Sequence, residues 1–254
     1  MKNIIALQTI VRKEVVRVFR IWMQTLVPPI ITQSLYFVIF GGFVGSQVRA
    51  INGVSYMAFI VPGLVMMAVI TSSFSNTVSS FFSVKFMRSI DELLVSPMSN
   101  WVIVLGYSLG GVVRGLFVGL IVFLVSMFFT HPIITHPFLI ATFVLLTSTV
   151  FSLGGFLNAL FAKKFDDVSI FPTFVLTPLT YLGGVFYPIS ALPHLWQIVS
   201  KANPIVYMID GFRYGFYGFS SISVWISLGM LAGFTVGIFT LCVWLMNRGT
   251  GIRS

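Results

Sequence analysis

The chain has 254 residues, of which 57% are hydrophobic and 8% charged, with a formal net charge of +9. A soluble domain carries about 25% charged residues to solvate its surface, so a water-soluble globule is excluded and hydrocarbon must replace water around most of the chain. The basic excess does not indicate a nucleic acid partner, because the Lys and Arg residues lie between apolar stretches and form no patch on a soluble fold.

Residues 1–22 come first. Leu7, Val11, Val15, Val18 and Trp22 recur on one helical face, with Lys13, Arg17 and Arg20 nearly opposite. That pattern predicts an amphipathic interfacial helix along the cytoplasmic membrane surface; the alternative is a solvated tail. The charges also break any continuous apolar stretch of the kind a cleavable signal peptide needs.

A helix crossing about 30 Å of hydrocarbon needs about 20 apolar residues. Six runs qualify, at 23–44, 56–80, 101–128, 138–161, 168–187 and 222–246. They are too long, and lack the alternation, for barrel strands. Eleven Lys/Arg flank one side of these runs, against Arg49, Lys201 and Arg213 on the other. The positive-inside rule then places both termini in the cytoplasm, as an even number of crossings requires. The expected fold is all-α: one polytopic transmembrane domain over residues 1–254.

Between the second and third runs lies Ser83–Leu94, closed by Pro97. Phe86, Ile90, Leu93 and Leu94 follow helical spacing, Arg88 can pair with Glu92 at i+4, and Asp91 adds a second acid. Such a cytoplasmic helix over 83–96 suits docking onto a partner; packing onto the bundle is the alternative. In the third run Gly111, Gly115 and Gly119 repeat every four residues and bare one face for close helix approach. Arg114 falls near mid-membrane, where a centred charge costs about 2.5–3.5 kcal/mol and should face a partner, water or a pathway; snorkelling to the interface is the alternative.

Residues 181–217 are too apolar for a hydrophilic loop and too interrupted for a span. Gly183, Gly184, Pro188 and Asn203-Pro204 break the helix. The reading is an exterior re-entrant hairpin over 188–217, of two short helices parted at Pro204, with Asp210 and Arg213 three residues apart as an expected ion pair. Re-entrant backbone persists only where protein or a wet cavity covers it. An interfacial loop is the alternative.

Enzymatic chemistry finds no footing. The six acids are Glu14, Asp91, Glu92, Asp166, Asp167 and Asp210, and no zinc-ligand spacing, nucleophile elbow or Gly-Lys phosphate loop accompanies them. No catalytic, cofactor-binding or metal-binding residues are expected. Cys242 is the single cysteine, so no intrachain disulfide forms. An ion-coupled secondary transporter is the competing function; such carriers generally need acids within their spans, and none of the six is squarely mid-span.

The order of elements resembles the type-2 ABC exporter permeases. The resemblance rests on Leu182–Pro188, Asn203-Pro204 and Gly211–Tyr214, and extends to Val27–Pro29, Ile60–Leu64, Lys163–Asp167 and Pro172–Thr180. It implies a bacterial inner-membrane half-transporter, working as a homodimer with two copies of a cytoplasmic ABC ATPase that bind the ATP and Mg²⁺. On this resemblance residues 83–96, with Phe86, Arg88, Ile90, Asp91, Glu92 and Leu93, are the coupling helix. Gly183, Gly184, Pro188, Pro204, Asp210 and Arg213 belong to the hairpin or gate. The cargo implied is a lipid, amphiphilic drug or glycan, with membrane lipid as a further partner.

Overall fold

The computed structural model describes residues 2–45, 47–48, 50–51 and 53–251, and within them every regular element is helical. Arg49 and Arg253, which enter the charge bias, lie outside the described residues. The helices are α1 (Lys2–Arg20), α2 (Trp22–Tyr36, continued by wider π-type turns over Phe37–Val44), α3 (Tyr56–Phe86), α4 (Ile90–Val95) and α5 (Asn100–Ser126). There follow α6 (Pro137–Phe161), α7 (Phe165–Phe171), α8 (Thr177–Tyr181), α9 (His194–Lys201), α10 (Pro204–Tyr217) and α11 (Val224–Asn247).

Five stretches are long and apolar enough to cross a membrane: Trp22–Val44, Tyr56–Phe86, Asn100–Ser126, Pro137–Phe161 and Val224–Asn247. The protein is an all-α polytopic membrane protein. The remaining predicted run, 168–187, is shorter than expected. It forms a continuous helical stretch from Phe165 to Tyr181 of 7, 5 and 5 residues, with Pro172 and Pro178 opening the second and third segments. At 1.5 Å per residue it spans about 25 Å. It ends where Gly184 adopts a left-handed φ of 78°, a conformation that costs glycine nothing.

This stretch runs antiparallel to the second half of α3. Phe165 meets Phe82 and Phe86 at 5.0 and 4.8 Å, Phe171 stacks on Phe74 at 5.5 Å, and past its end the Tyr56 hydroxyl donates to Phe186 O at 2.9 Å.

Helix α3 is the axis of the bundle, begun by Ser55, whose hydroxyl accepts from Ala58 N at 3.3 Å. Its first half is apolar nearly all round, as suits a helix enclosed by protein, whereas from Thr71 to Ser83 it carries Ser, Thr and Asn side chains, five of them buried. Phe59, Phe74, Phe81 and Phe82 are all buried, and Phe81 sits 4.1 Å from Phe156 and 5.3 Å from Tyr107. At its last turn the Lys85 ammonium donates to Leu160 O at 2.7 Å and Ala162 O at 2.8 Å. A cation on the final carbonyls of α6 satisfies acceptors that the helix leaves open and complements its dipole.

Helix α1 packs along α5 in the same direction. Asn3 bonds Ser99 at 3.2 Å, Ile10 covers Gly106, Glu14 covers Gly110, and Phe19 meets Phe117 edge-on at 5.2 Å. The side of α1 turned to protein therefore carries Ile10, Glu14 and Val18, while Trp22 of the expected apolar stripe is 51% exposed. Two glycine faces of α5 make this possible: Gly106 and Gly110 admit α1, and Gly111 and Gly115 admit the Ser73–Thr77 turn of α3.

Candidate functional site

The segment predicted as one helix over 83–96 is divided. Residues 83–86 finish α3, Arg88 turns the chain with a left-handed φ of 58°, and α4 starts at Ile90. A positive φ in a residue with a Cβ is unfavourable within a helix, so Phe86 and Ile90 do not share one helical face. Among the described residues no ion pair joins Arg88 to Glu92; the one ion pair there is Glu14–Arg17.

Burial redraws the expected docking stripe. Ile90 is 3% exposed and belongs to the core, and Leu93 packs against it. Phe86, Met87, Leu94 and Val95 are the apolar side chains that project, with Val95 86% exposed. Asp91 and Glu92 stand in the first turn of α4, both exposed. The result is an apolar knob beside two carboxylates. Close by, Asp167 caps α7 by accepting from the backbone N–H of Lys163 at 2.8 Å and of Lys164 at 3.0 Å. Those two bonds hold its carboxyl below the ordinary carboxylate value.

Beside Leu179 and the middle of α3 the chain breaks at Asn203-Pro204, where the sequence places the break. Asn203 Oδ1 accepts from Ile205 N at 3.0 Å and its Nδ2 donates to Leu179 O at 2.6 Å. Pro204 takes the first turn of α10, where its missing N–H costs nothing. The buried face of α10 runs from Ile205 to Phe216. Gly211 and Gly215, four apart, let it lie against Phe143 and Ile140 of α6, and Thr135 and His136 donate their N–H groups to Gly215 O at 3.1 and 2.8 Å. Helix α10 is thus a packed element rather than a surface loop.

Five of the six hairpin residues meet around one recess of about 80 Å³: Gly183, Gly184, Pro188, Asp210 and Arg213 all line it, with Ser221. Pro204 instead borders a separate apolar cavity of about 390 Å³ beside Phe74, Met208 and Phe234. The expected ion pair is absent. Asp210 Oδ2 accepts from Ser221 N at 2.8 Å and Ile222 N at 2.9 Å. Arg213 donates to Gly184 O at 2.8 Å and lies 4.0 Å over the Phe59 ring. Both side chains are buried, and each bonds backbone groups of its own rather than the other, while Nε of Arg213 is left without a partner.

A third constellation went unpredicted. The Glu14 carboxylate, 0% exposed, accepts from Ser80 Oγ at 2.7 Å and from Arg17 at 2.9 Å. Arg17 also donates to Asn76 Oδ1 at 2.9 Å. Ser73, Ser108, Thr147 and Ser152 hydroxyls are buried nearby without partners, as are Nε of Arg17 and of Arg114. The available signal was the polar stretch Thr71–Ser80 at the end of a predicted span, in which Asn76 and Ser80 stand one turn apart. Arg114 itself sits mid-way along α5, partly buried and within electrostatic reach of Arg17.

A family model described as ABC-2 type transporter matches residues 5–217. The chain is 54% identical over 250 residues to the inner membrane transport permease YadH of Escherichia coli (strain K12), covering 98% of each chain, and equally similar to that of Shigella flexneri. Nodulation protein J of Rhizobium meliloti (strain 1021) is 26% identical over 219 residues, 82% of this chain and 80% of that protein.

Proposed function

We propose, from the premise that this chain belongs to the ABC-2 type transporter family, that it is the membrane-spanning subunit of an ATP-driven exporter. It works as a homodimer in a bacterial inner membrane, with two ATPase subunits on the cytoplasmic side that bind the ATP and Mg²⁺. The cargo is a lipid, an amphiphilic drug or a glycan. The observation that carries the reading, beside the family match, is the exposed apolar knob of Phe86, Met87, Leu94 and Val95. Apolar side chains that project beyond a span, next to Asp91 and Glu92, suit a desolvated contact with a soluble partner.

The experiment is co-purification with the ATPase expressed beside it. Val95→Asp puts a charge into that contact while touching little of the bundle. Losing an interface anchor commonly costs 2 kcal/mol or more, about 30-fold in affinity. Val95→Asp is expected to lose the ATPase while melting like the parent; parent-like recovery of the ATPase sinks the assignment of this surface.

Topology follows from the charge bias. Phe165–Tyr181 runs about 25 Å antiparallel to α3, which supports a sixth crossing, with both termini cytoplasmic and Asp210 and Arg213 in an exterior hairpin. A single cysteine at Lys201, in a Cys242→Ser background, is expected to react with an impermeant thiol reagent from outside intact cells. One at Lys85 is expected not to react, and labelling there overturns the orientation.

A further inference from the structure

Arg114 is a cation without a matching anion. The chain has six side-chain carboxylates, and each is placed elsewhere. Glu14 is fully buried and committed to Ser80 and Arg17. Asp91 and Glu92 lie in α4, before α5 begins, and Arg114 stands about 20 Å of helix further on. Asp166 and Asp167 open α7, beside Phe82 and Phe86 at that same end. Asp210 is held by Ser221 and Ile222.

A second copy does not change this. A two-fold axis along the membrane normal keeps every partner residue at its own depth, and at the depth of Arg114 that supplies only another committed Glu14. The neighbouring charge is instead Arg17, whose side chain keeps 28% of its surface exposed. Two guanidinium groups thus lie within electrostatic reach of each other, the one carboxylate beside them pairs with Arg17, and buried Nε donors on both remain unpartnered. A charge inside the membrane is retained where it meets a partner or a pathway, and the planar guanidinium fork matches phosphate oxygens in pairs.

We propose that Arg114, with Arg17 near it, binds the phosphate of an amphiphile's headgroup at the edge of the α1–α5 contact. The assignment deepens the export reading by naming a headgroup class, and it rests on that reading only for the amphiphile's transport. Binding is measured without turnover, so a permease that binds without exporting, or exports without binding, separates the two.

The probe is fluorescent lysophosphatidic acid, titrated by anisotropy against the purified full chain in zwitterionic detergent. Lysophosphatidylcholine and inorganic phosphate serve as the other arms. Losing one charge-assisted contact corresponds to about a tenfold weaker affinity, which is expected for lysophosphatidic acid with Arg114→Gln. Lysophosphatidylcholine is expected to bind parent and variant alike, and Arg248→Gln, at the C-cap of α11, to bind like the parent. Arg114→Lys keeps the charge without the planar fork and is expected to fall between parent and Arg114→Gln, giving a second readout where the Gln variant does not fold. Parent-like affinity in either Arg114 variant overturns the site. Displacement of the probe by an equal concentration of inorganic phosphate reassigns it to the free anion and overturns the amphiphile.

Discussion

Glu14→Ala is expected to destabilise the protein by about 3–5 kcal/mol, the cost of leaving one member of a buried ion pair without its partner. The substitution strands the Arg17 guanidinium against Asn76 and frees the Ser80 hydroxyl in a region closed to bulk water. Glu14→Gln keeps acceptor and shape while removing the charge, so its loss is expected to be smaller. The telling variant is the double substitution Glu14→Leu with Arg17→Met. Replacing a buried pair by apolar residues of similar volume is often neutral or stabilising by about 1–4 kcal/mol, so the double variant should unfold later than Glu14→Ala. Reversible unfolding in mixed micelles is the measurement. A Glu14→Ala protein that unfolds with the parent would mean that α1 does not dock on α3 and α5 through this carboxylate.

Arg213→Ala is expected to cost about 2–4 kcal/mol, combining a lost charge-assisted bond to Gly184 O with a lost desolvated cation–π contact on Phe59. Asp210→Asn retains one oxygen for Ser221 N and Ile222 N and is expected to cost about 1 kcal/mol. The two side chains have separate hydrogen-bond partners but line one recess, so the double variant should depart from the sum of the single losses by only about 1 kcal/mol. A recovery of about 3 kcal/mol or more in the double variant, the scale of a directly broken buried pair, would restore the ion pair that the spacing suggests.

The long spans were legible because hydrocarbon selects on length and composition, which a sequence displays directly. The break at Asn203-Pro204 was legible because proline lacks the N–H and asparagine supplies the cap. What stayed hidden depends on neighbours distant in sequence. The face of α1 that carries Glu14 looks charged, and only Ser80, Asn76 and Gly110 from two other helices make it a buried face. The helix expected over 83–96 fails at Arg88, whose left-handed turn carries no proline or glycine signature. The Asp210–Arg213 spacing correctly marks two buried charges, yet spacing cannot show that they bond backbone groups of Gly184, Ser221 and Ile222 rather than each other. The Gly211–Gly215 pair did carry a signal for close packing of α10, obscured by the Pro and Gly breaks around it.

The Lys85 clamp has a mechanical consequence. By tying the foot of α3 to the last carbonyls of α6, with Phe86 wedged against Phe165, it makes three helices share one rigid footing directly beside α4. A load applied at Val95 is therefore not absorbed by a single helix end. Helix α3 has 31 residues, which is about 46 Å of lever at 1.5 Å per residue. A tilt of about 5° about its far end displaces the footing by about 4 Å, enough for packed helices to shift past one another by a shear step. Cutting the clamp, as Lys85→Met would, uncouples the lever from α6 without touching the surface on which the load acts.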